Sequence, residues 1–247
     1  MKKKQRVDQL LVALGHFSTR EQAKRAVMAG FVSVEGIQHL KPGQLIDTET
    51  EFIIKEREPF VSRGGYKLQA ALDGFNLSVC SKICLDVGAS TGGFTDCLLQ
   101  YGAKKVYSVD VGKGLMDWSL RNDPRVVLIE EKNARYMVAD DIPEQVDILT
   151  IDASFISLKI IIPAVLPFLK TGGYLLPLVK PQFEAGKGQV GKNGVVKDKN
   201  LILNILDDMI EFLTSIGLEV NGRVRSPILG PAGNKEFLIW AIKPSVR

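Results

Sequence analysis

Apolar residues fall into two regimes along the chain. In the first sixty positions the runs are short. Val7, Leu10, Leu11 and Leu14 recur at helical spacing, and Gly15 stops them. Ser18 or Thr19 can cap a second helix, with Glu21 or Gln22 near its third position; this run passes through Ala23, Ala26 and Val27 and stops at Gly30. Residues 31–34 read as a strand entering a turn at Glu35-Gly36, residues 40–43 as another turn, and residues 51–55 as another strand. The pattern predicts a small α+β unit over 1–57, a linker over 58–63 where Pro59 breaks both periodicities, and a larger unit over 64–247.

From about residue 80 the pattern changes to continuous apolar runs alternating with helical stretches. Strands are predicted at 83–87, 105–109, 126–129, 146–151 and 173–179, with a helix after Gly92-Gly93 and an amphipathic helix over 201–216. Fully apolar strands between helices imply a parallel sheet covered on both faces, so the fold class is α/β and Rossmann-like. Two final strands, near 218–226 and 236–242, close the sheet as a hairpin whose last strand runs antiparallel. Ligands of such sheets sit at the carboxyl ends of the strands, and Asp86, Asp110, Asp152 and Lys180 all fall there.

The longest apolar run, 160–169, holds Pro163 and Pro167 and stops at Lys170, so no membrane span is expected. The lysines at positions 2, 3 and 4 precede no apolar stretch of signal-peptide length, and a cytoplasmic monomer is expected. Cys80, Cys84 and Cys97 match no zinc spacing and His16 and His39 lie far from them, so buried reduced thiols and no metal are expected. Residues 1–67 carry 12 Lys/Arg against 8 Asp/Glu, while the other 180 balance, which points to a docking arm for a polyanion. Arg20 and Lys24 share a helix face, with Arg25 beside them and Arg6 just ahead of the first helix.

The run RVDQLLVALGHFSTREQAKRAVMAGFVSVEGIQHLKPG resembles the RNA-binding domain named after ribosomal protein S four. That family reads R-L-D-x-x-L, a Ser-Arg pair opening the second helix, G-x-V-x-V-N-G and a late Lys-Pro; here Val7, Thr19 and Glu35 are mild departures. The resemblance implies contact with structured RNA through Arg6, Arg20, Lys24, Arg25 and Lys41.

DVGASTGGF (86–94) sets an acidic strand end before a glycine loop and a helix. Gly88 permits the turn, and Gly92 and Gly93 are expected to let a ligand approach the backbone. Both the P-loop Lys-Ser/Thr pair and the dinucleotide G-x-G-x-x-G are missing. An acidic residue beside the loop suits an amino-bearing ligand, and Asp110 is placed for ribose hydroxyls. Together these point to S-adenosylmethionine, with Asp86, Gly88, Ser90, Gly92, Gly93, Phe94 and Asp110 as its contacts.

The fourth-strand loop reads Asp152-Ala153-Ser154-Phe155, lacking the Pro-Pro of base N-methylation. No cysteine lies where base carbon methylation needs its nucleophile. Asp152 and Lys180 on adjacent strands suit an alcohol, whose oxygen must be oriented or deprotonated. A lysine acts as base only when neutral, which a second cation such as Lys67 favours.

SRGGYKL, LDVGASTGGFTDCLL, VDVGKGL, IDASFISL, LVKPQFEAG, GVVKD and GPAGNKEFL resemble the hemolysin-A-type (TlyA) ribosomal RNA methyltransferases, whose catalytic part is similar to the FtsJ-like ribose 2′-O-methyltransferases. The resemblance implies a Lys67, Asp152, Lys180, Glu236 catalytic group acting on a cytidine ribose of ribosomal RNA in ribosomal subunits. It also implies that a residue near Asn133 reaches the adenine. Gly186, Gly188, Gly191 and Gly194, with Lys187 and Lys192, read as a mobile basic lid on the RNA backbone. Three other readings stand beside this one: an RNA-binding protein that keeps the methyltransferase scaffold without catalysis, a membrane-lysing protein, and a methyltransferase for proteins or small molecules.

Overall fold

In the computed structural model, residues 3–55, 58–186 and 188–245 are described. The chain divides into two compact units, Met1–Pro59 and Phe60–Arg247. The expected linker over 58–63 therefore ends at Pro59. Phe60 is buried in the second unit's core, and the Val61 N–H donates to the Asp96 carboxylate at 2.8 Å. This boundary also redistributes the charge: Arg63 and Lys67 belong to the second unit, so the basic excess is shared by the two rather than confined to the first.

The first unit runs β1 (Lys4–Arg6), α1 (Val7–Ala13), α2 (Arg20–Met28), β2 (Val32–Ser33), β3 (Leu45–Asp47) and β4 (Ile53–Ile54). Thr19 caps α2 by accepting from the Gln22 N–H. Val7, Leu10, Leu11, Ala23 and Val27 close the core against Val32 and Ile46. The strands expected at 31–34 and 51–55 form as the shorter β2 and β4, which pair with each other. The β1–β3 pair is unforeseen, because its residues are mostly polar and Ile46 alone is buried.

The second unit runs α3 (Gly64–Gly74), β5 (Ile83–Val87), α4 (Gly93–Gln100), β6 (Lys105–Val109), α5 (Trp118–Arg121), β7 (Val126–Ile129), β8 (Val146–Ile151), α6 (Leu158–Val165), β9 (Leu169–Val179), α7 (Pro181–Glu184), α8 (Lys199–Ser215), β10 (Glu219–Arg225) and β11 (Phe237–Ile242). Its seven strands lie in the order β10-β11-β9-β8-β5-β6-β7. The five from β7 to β9 are parallel, and β11 runs antiparallel to both β9 and β10. Leu68, Ala71 and Leu72 of α3, with Phe94, Cys97 and Leu98 of α4, cover one face. Ile161, Ile162 and Val165 of α6, with Ile205, Leu206 and Met209 of α8, cover the other. β9 starts at Leu169, earlier than expected, because Leu169 pairs with Val146 before a register shift.

Gly93 opens α4 against the first turn of α3. A Cβ there would lie 2.4 Å from the Ser62 Oγ and 2.9 Å from the Gly65 N, so the helix N-termini meet backbone to backbone. Overpacking a core contact costs about 1–3 kcal/mol. Gly93→Ala is expected to lower stability by about that amount, read as a shift in the denaturant midpoint at unchanged slope.

Candidate active site

The carboxyl edge of the second unit's sheet collects four charged side chains from four separate elements. Asp152 follows β8 and Lys180 follows β9, on adjacent parallel strands. Phe237 of β11 pairs with Val179, so Glu236 arrives at the same edge. Lys67 projects from the first turns of α3. The Lys180 Nζ lies 2.6 Å from Asp152 Oδ1 and 2.8 Å from the Ser154 Oγ. The Lys67 Nζ lies 2.6 Å from Glu236 Oε2 and 3.9 Å from Asp152 Oδ2. Lys67, Lys180 and Glu236 are buried. Buried charges of this kind persist only when paired, and the set sums to zero. The Glu236 carboxylate packs on Gly230, where a Cβ would meet Oε1.

A cleft of about 320 Å³ opens beside this quartet. Its walls include Ser62 to Gly64, Lys67, Gly88 to Thr91, Phe94, Asp152, Ser154, Lys180 and Leu229. Gly88 has φ +83° and a Cβ there would lie 2.6 Å from the Asp152 carbonyl oxygen, so the loop and the Asp152 backbone touch. Ser90 takes φ +48°, an uncommon conformation for a residue with a Cβ, and donates its N–H to Asp110 Oδ2 at 2.8 Å. Asp110 Oδ1 accepts from the Gly112 N–H at 2.7 Å. Each Asp110 oxygen thus keeps a lone pair for a hydroxyl. The N-terminus of α4 opens toward the cleft and suits a carboxylate. This donor set fits S-adenosylmethionine, with its ribose diol on Asp110 and its carboxylate toward α4.

Two expected contacts, Asp86 and Gly92, need correction. Asp86 does not reach the cleft, for it is fully buried. Strand alternation turns it to the α4 face, in register with Ser108 on β6 and Thr150 on β8. Thr95 and Thr150 hydroxyls donate to its two oxygens at 2.8 and 2.9 Å, and Ser108 lies 2.8 Å from the Thr95 Oγ. The carboxyl thus anchors the loop from behind instead of meeting a ligand's amino group. Gly92 does not line the cleft and lacks a side chain because Leu120 occupies that space, whereas Gly93, packed on residues 62–65, lines the cleft as well. Phe94 is buried in the core and also lines the cleft wall. Asn133 uses its side-chain oxygen to cap the turn at 134–136 through the Arg135 N–H.

Two residues escaped the sequence reading. Ser154 shares Lys180 with Asp152. Phe155 is 92% exposed at φ +64°, with its ring 5.1 Å from that of Phe183. Exposure and backbone strain of this kind concentrate at functional sites, but neither is visible in sequence.

In the first unit, the guanidinium groups of Arg6 and Arg20 both reach the buried Asp8, at 2.9 and 3.1 Å. The Arg6 hydrogen bonds hold its carboxyl down at about 2. Lys24, Arg25 and Lys41 are exposed. Lys187 and the side chain of Lys192 lie outside the described residues, but the far end of their segment is tied down. The buried Asn234 donates to the Gly194 carbonyl and accepts from the Val196 N–H. Cys84 and Cys97 are buried, and burial pushes both thiols up; Cys80, against expectation, is exposed. Among the described residues no group of His, Cys, Asp and Glu could hold a metal ion, and no helix is long and apolar enough to cross a membrane.

A parallel sheet closed by one reversed strand, with a glycine loop at its carboxyl edge, defines a methyltransferase-type α/β domain. Residues 60–243 match the family model described as FtsJ-like methyltransferase, and residues 5–52 the one described as S4 domain. The 16S/23S rRNA (cytidine-2'-O)-methyltransferase TlyA of Mycobacterium tuberculosis is 43% identical, over 97% of this chain and 90% of its own. Hemolysin A of Brachyspira hyodysenteriae is 40% identical, over 94% of this chain and 98% of its own. A solved structure from Streptococcus thermophilus, named as a hemolysin, is 47% identical, over 99% of this chain and 90% of that one, with a TM-score of 0.75. The chain belongs to the FtsJ-like methyltransferase family, in its TlyA branch with an N-terminal S4 domain, and its cofactor is S-adenosylmethionine.

Burial pushes the Asp86 carboxyl up to about 7, against the pull of the Thr95 and Thr150 hydrogen bonds. A carboxyl raised in the folded state makes stability fall as pH rises from its unfolded value of about 4 toward 7. Asp86→Asn removes that dependence, so its stability relative to the parent is expected to climb across this window, by at most roughly 4 kcal/mol. Denaturant midpoints that keep a constant offset between pH 4 and 7 would overturn this assignment.

Proposed function

We propose that this protein transfers a methyl group from S-adenosylmethionine to the 2′-hydroxyl of a cytidine in ribosomal RNA, acting on ribosomal subunits. The observation that carries the reading is the buried Lys67–Glu236 and Lys180–Asp152 arrangement at the mouth of the glycine loop. The substrate class is that for which the Mycobacterium tuberculosis relative is named, and the N-terminal S4 domain supports RNA as the partner.

When bound, S-adenosylmethionine supplies an electrophilic methyl on its sulfonium. Lys180, in ion-pair contact with Asp152 Oδ1 and hydrogen-bonded to the Ser154 Oγ, orients the ribose hydroxyl. The C–S bond would break as the ribose oxygen takes the methyl, releasing S-adenosylhomocysteine, and the hydroxyl proton would pass to the Lys180–Asp152 pair. Lys67, held by Glu236 and 3.9 Å from Asp152, positions the sugar and supplies the second cation. Asp110, Ser90, Gly88 and the α4 N-terminus hold the cofactor, with Asn133 at its adenine end. Arg6, Arg20, Lys24, Arg25 and Lys41, with Lys187 and Lys192, contact the RNA backbone, a sequence-independent source of affinity. The protein works as a cytoplasmic monomer, and the chemistry asks for no metal ion.

The test is transfer of labelled methyl to isolated ribosomal subunits, followed by mapping of the modified ribose. Lys180→Ala is expected to lower transfer at least about 100-fold, while affinities for S-adenosylhomocysteine and for subunits stay within about threefold. Undiminished transfer by Lys180→Ala, or label found on a base or on protein, overturns the reading.

A further inference from the structure

Two segments that carry the reacting groups run side by side beyond the sheet. One is the 152–157 stretch after β8, which contains neither helix nor strand; the other is Lys180 followed by the single turn of α7. Three contacts join them in the same direction along both. Lys180 meets Asp152 and Ser154. Phe183 meets Phe155, with ring centroids 5.1 Å apart. Glu184 closes the far end: its Oε2 accepts from the Ser157 hydroxyl at 2.6 Å and its Oε1 from the Leu158 N–H at 2.8 Å.

This last contact is a cap supplied from another element. Ser157 already caps α6 by accepting from the Lys159 N–H. Glu184 takes the next orphan donor and brings negative charge to the positive end of the helix. The carboxyl is largely buried, so little water can replace what it holds. Between the two ends sits Phe155 in a left-handed conformation, which costs of order 1–3 kcal/mol and persists only where its surroundings impose it. α7 is one short turn opened by Pro181, so Glu184 and Lys180 are rigidly related.

We propose that Glu184 is a positioning residue: by gripping the N-terminus of α6 it sets the loop that presents Asp152 and Ser154 to Lys180. The proposal rests on the reading that Lys180 and Asp152 carry the transfer. Misplacement of reacting groups by about 1 Å can cost about 100-fold in rate.

Glu184→Ala and Glu184→Gln in the full chain separate this role from mere folding. Gln keeps an acceptor for the Leu158 N–H and an amide that can pair with Ser157. Glu184→Ala is expected to lower kcat at least about tenfold, with KM for subunits and affinity for S-adenosylhomocysteine within about threefold. Hydrogen exchange at the Leu158 amide is expected to quicken in the same variant. Glu184→Gln is expected to restore kcat to within about threefold of the parent. The proposal falls if Glu184→Ala turns over within about twofold of the parent, if cofactor affinity drops as far as kcat, or if Leu158 exchange is unchanged. A parent protein that leaves subunits unmethylated sinks the functional reading instead, and Leu158 exchange then decides the clamp by itself.

Discussion

The second unit is organised around one contact, that of the Lys180 amine with the Asp152 carboxylate at 2.6 Å. Neither group is tolerable alone at that depth. Both stand where adjacent parallel strands end, which is the one edge of such a sheet where backbone carbonyls and loop N–H groups leave room for ligands. Lys67 and Glu236 extend the contact into a neutral set, and the reversed strand β11 is what delivers Glu236 to the same edge. The strand order therefore serves the site directly: a sheet ending at β9 would leave Lys67 without its buried partner.

Much of this was legible in the chain. The apolar runs at 83–87, 105–109 and 146–151 are strands buried on both faces, the run at 126–129 is the half-buried edge strand beside them, and no helical period competes with any of the four. The end of β9 and the final hairpin were legible for similar reasons. What escaped depends on contacts remote in sequence. β1 and β3 carry almost no apolar signal; they pair where the first turn of α1 bonds to the chain ahead of β3, Val7 N–H to the Gln44 carbonyl and Asp8 N–H to the Pro42 carbonyl. Asp86 was misplaced because a strand-end acid reads the same whichever face it takes. Its alternation with Leu85 and Val87, and the in-register Ser108 and Thr150, hold the information, but only once the neighbours of β5 are known. Lys67 and Glu236 carry no local pattern tying them together; family resemblance, not spacing, put them in one group. Glu184 lies within the LVKPQFEAG run but looks like an ordinary surface acid until the start of α6 is seen beside it.

The two aspartates near the loop, Asp86 buried and Asp152 half-buried, divide the labour by environment. Asp86 meets only neutral hydroxyls, so burial dominates and its proton is held tightly. Asp152 meets two lysines and faces the cleft. The same residue type thus serves as a structural anchor in one position and as an ionic partner in the other.

The glycine contact between the first turns of α3 and α4 has a consequence for how the two halves of the site communicate. Lys67 sits on α3, one turn beyond Gly64 and Gly65, and α4 begins where the cofactor loop ends. With only backbone and the small Ser62 hydroxyl at the contact, there is little soft layer to absorb displacement. If the donor and the sugar bind as proposed, occupancy of the donor pocket and the posture of Lys67 are linked through this contact. Such linkage is reciprocal in free energy: whatever the sulfonium ligand gains from a settled Lys67, the incoming sugar gains equally from a settled loop.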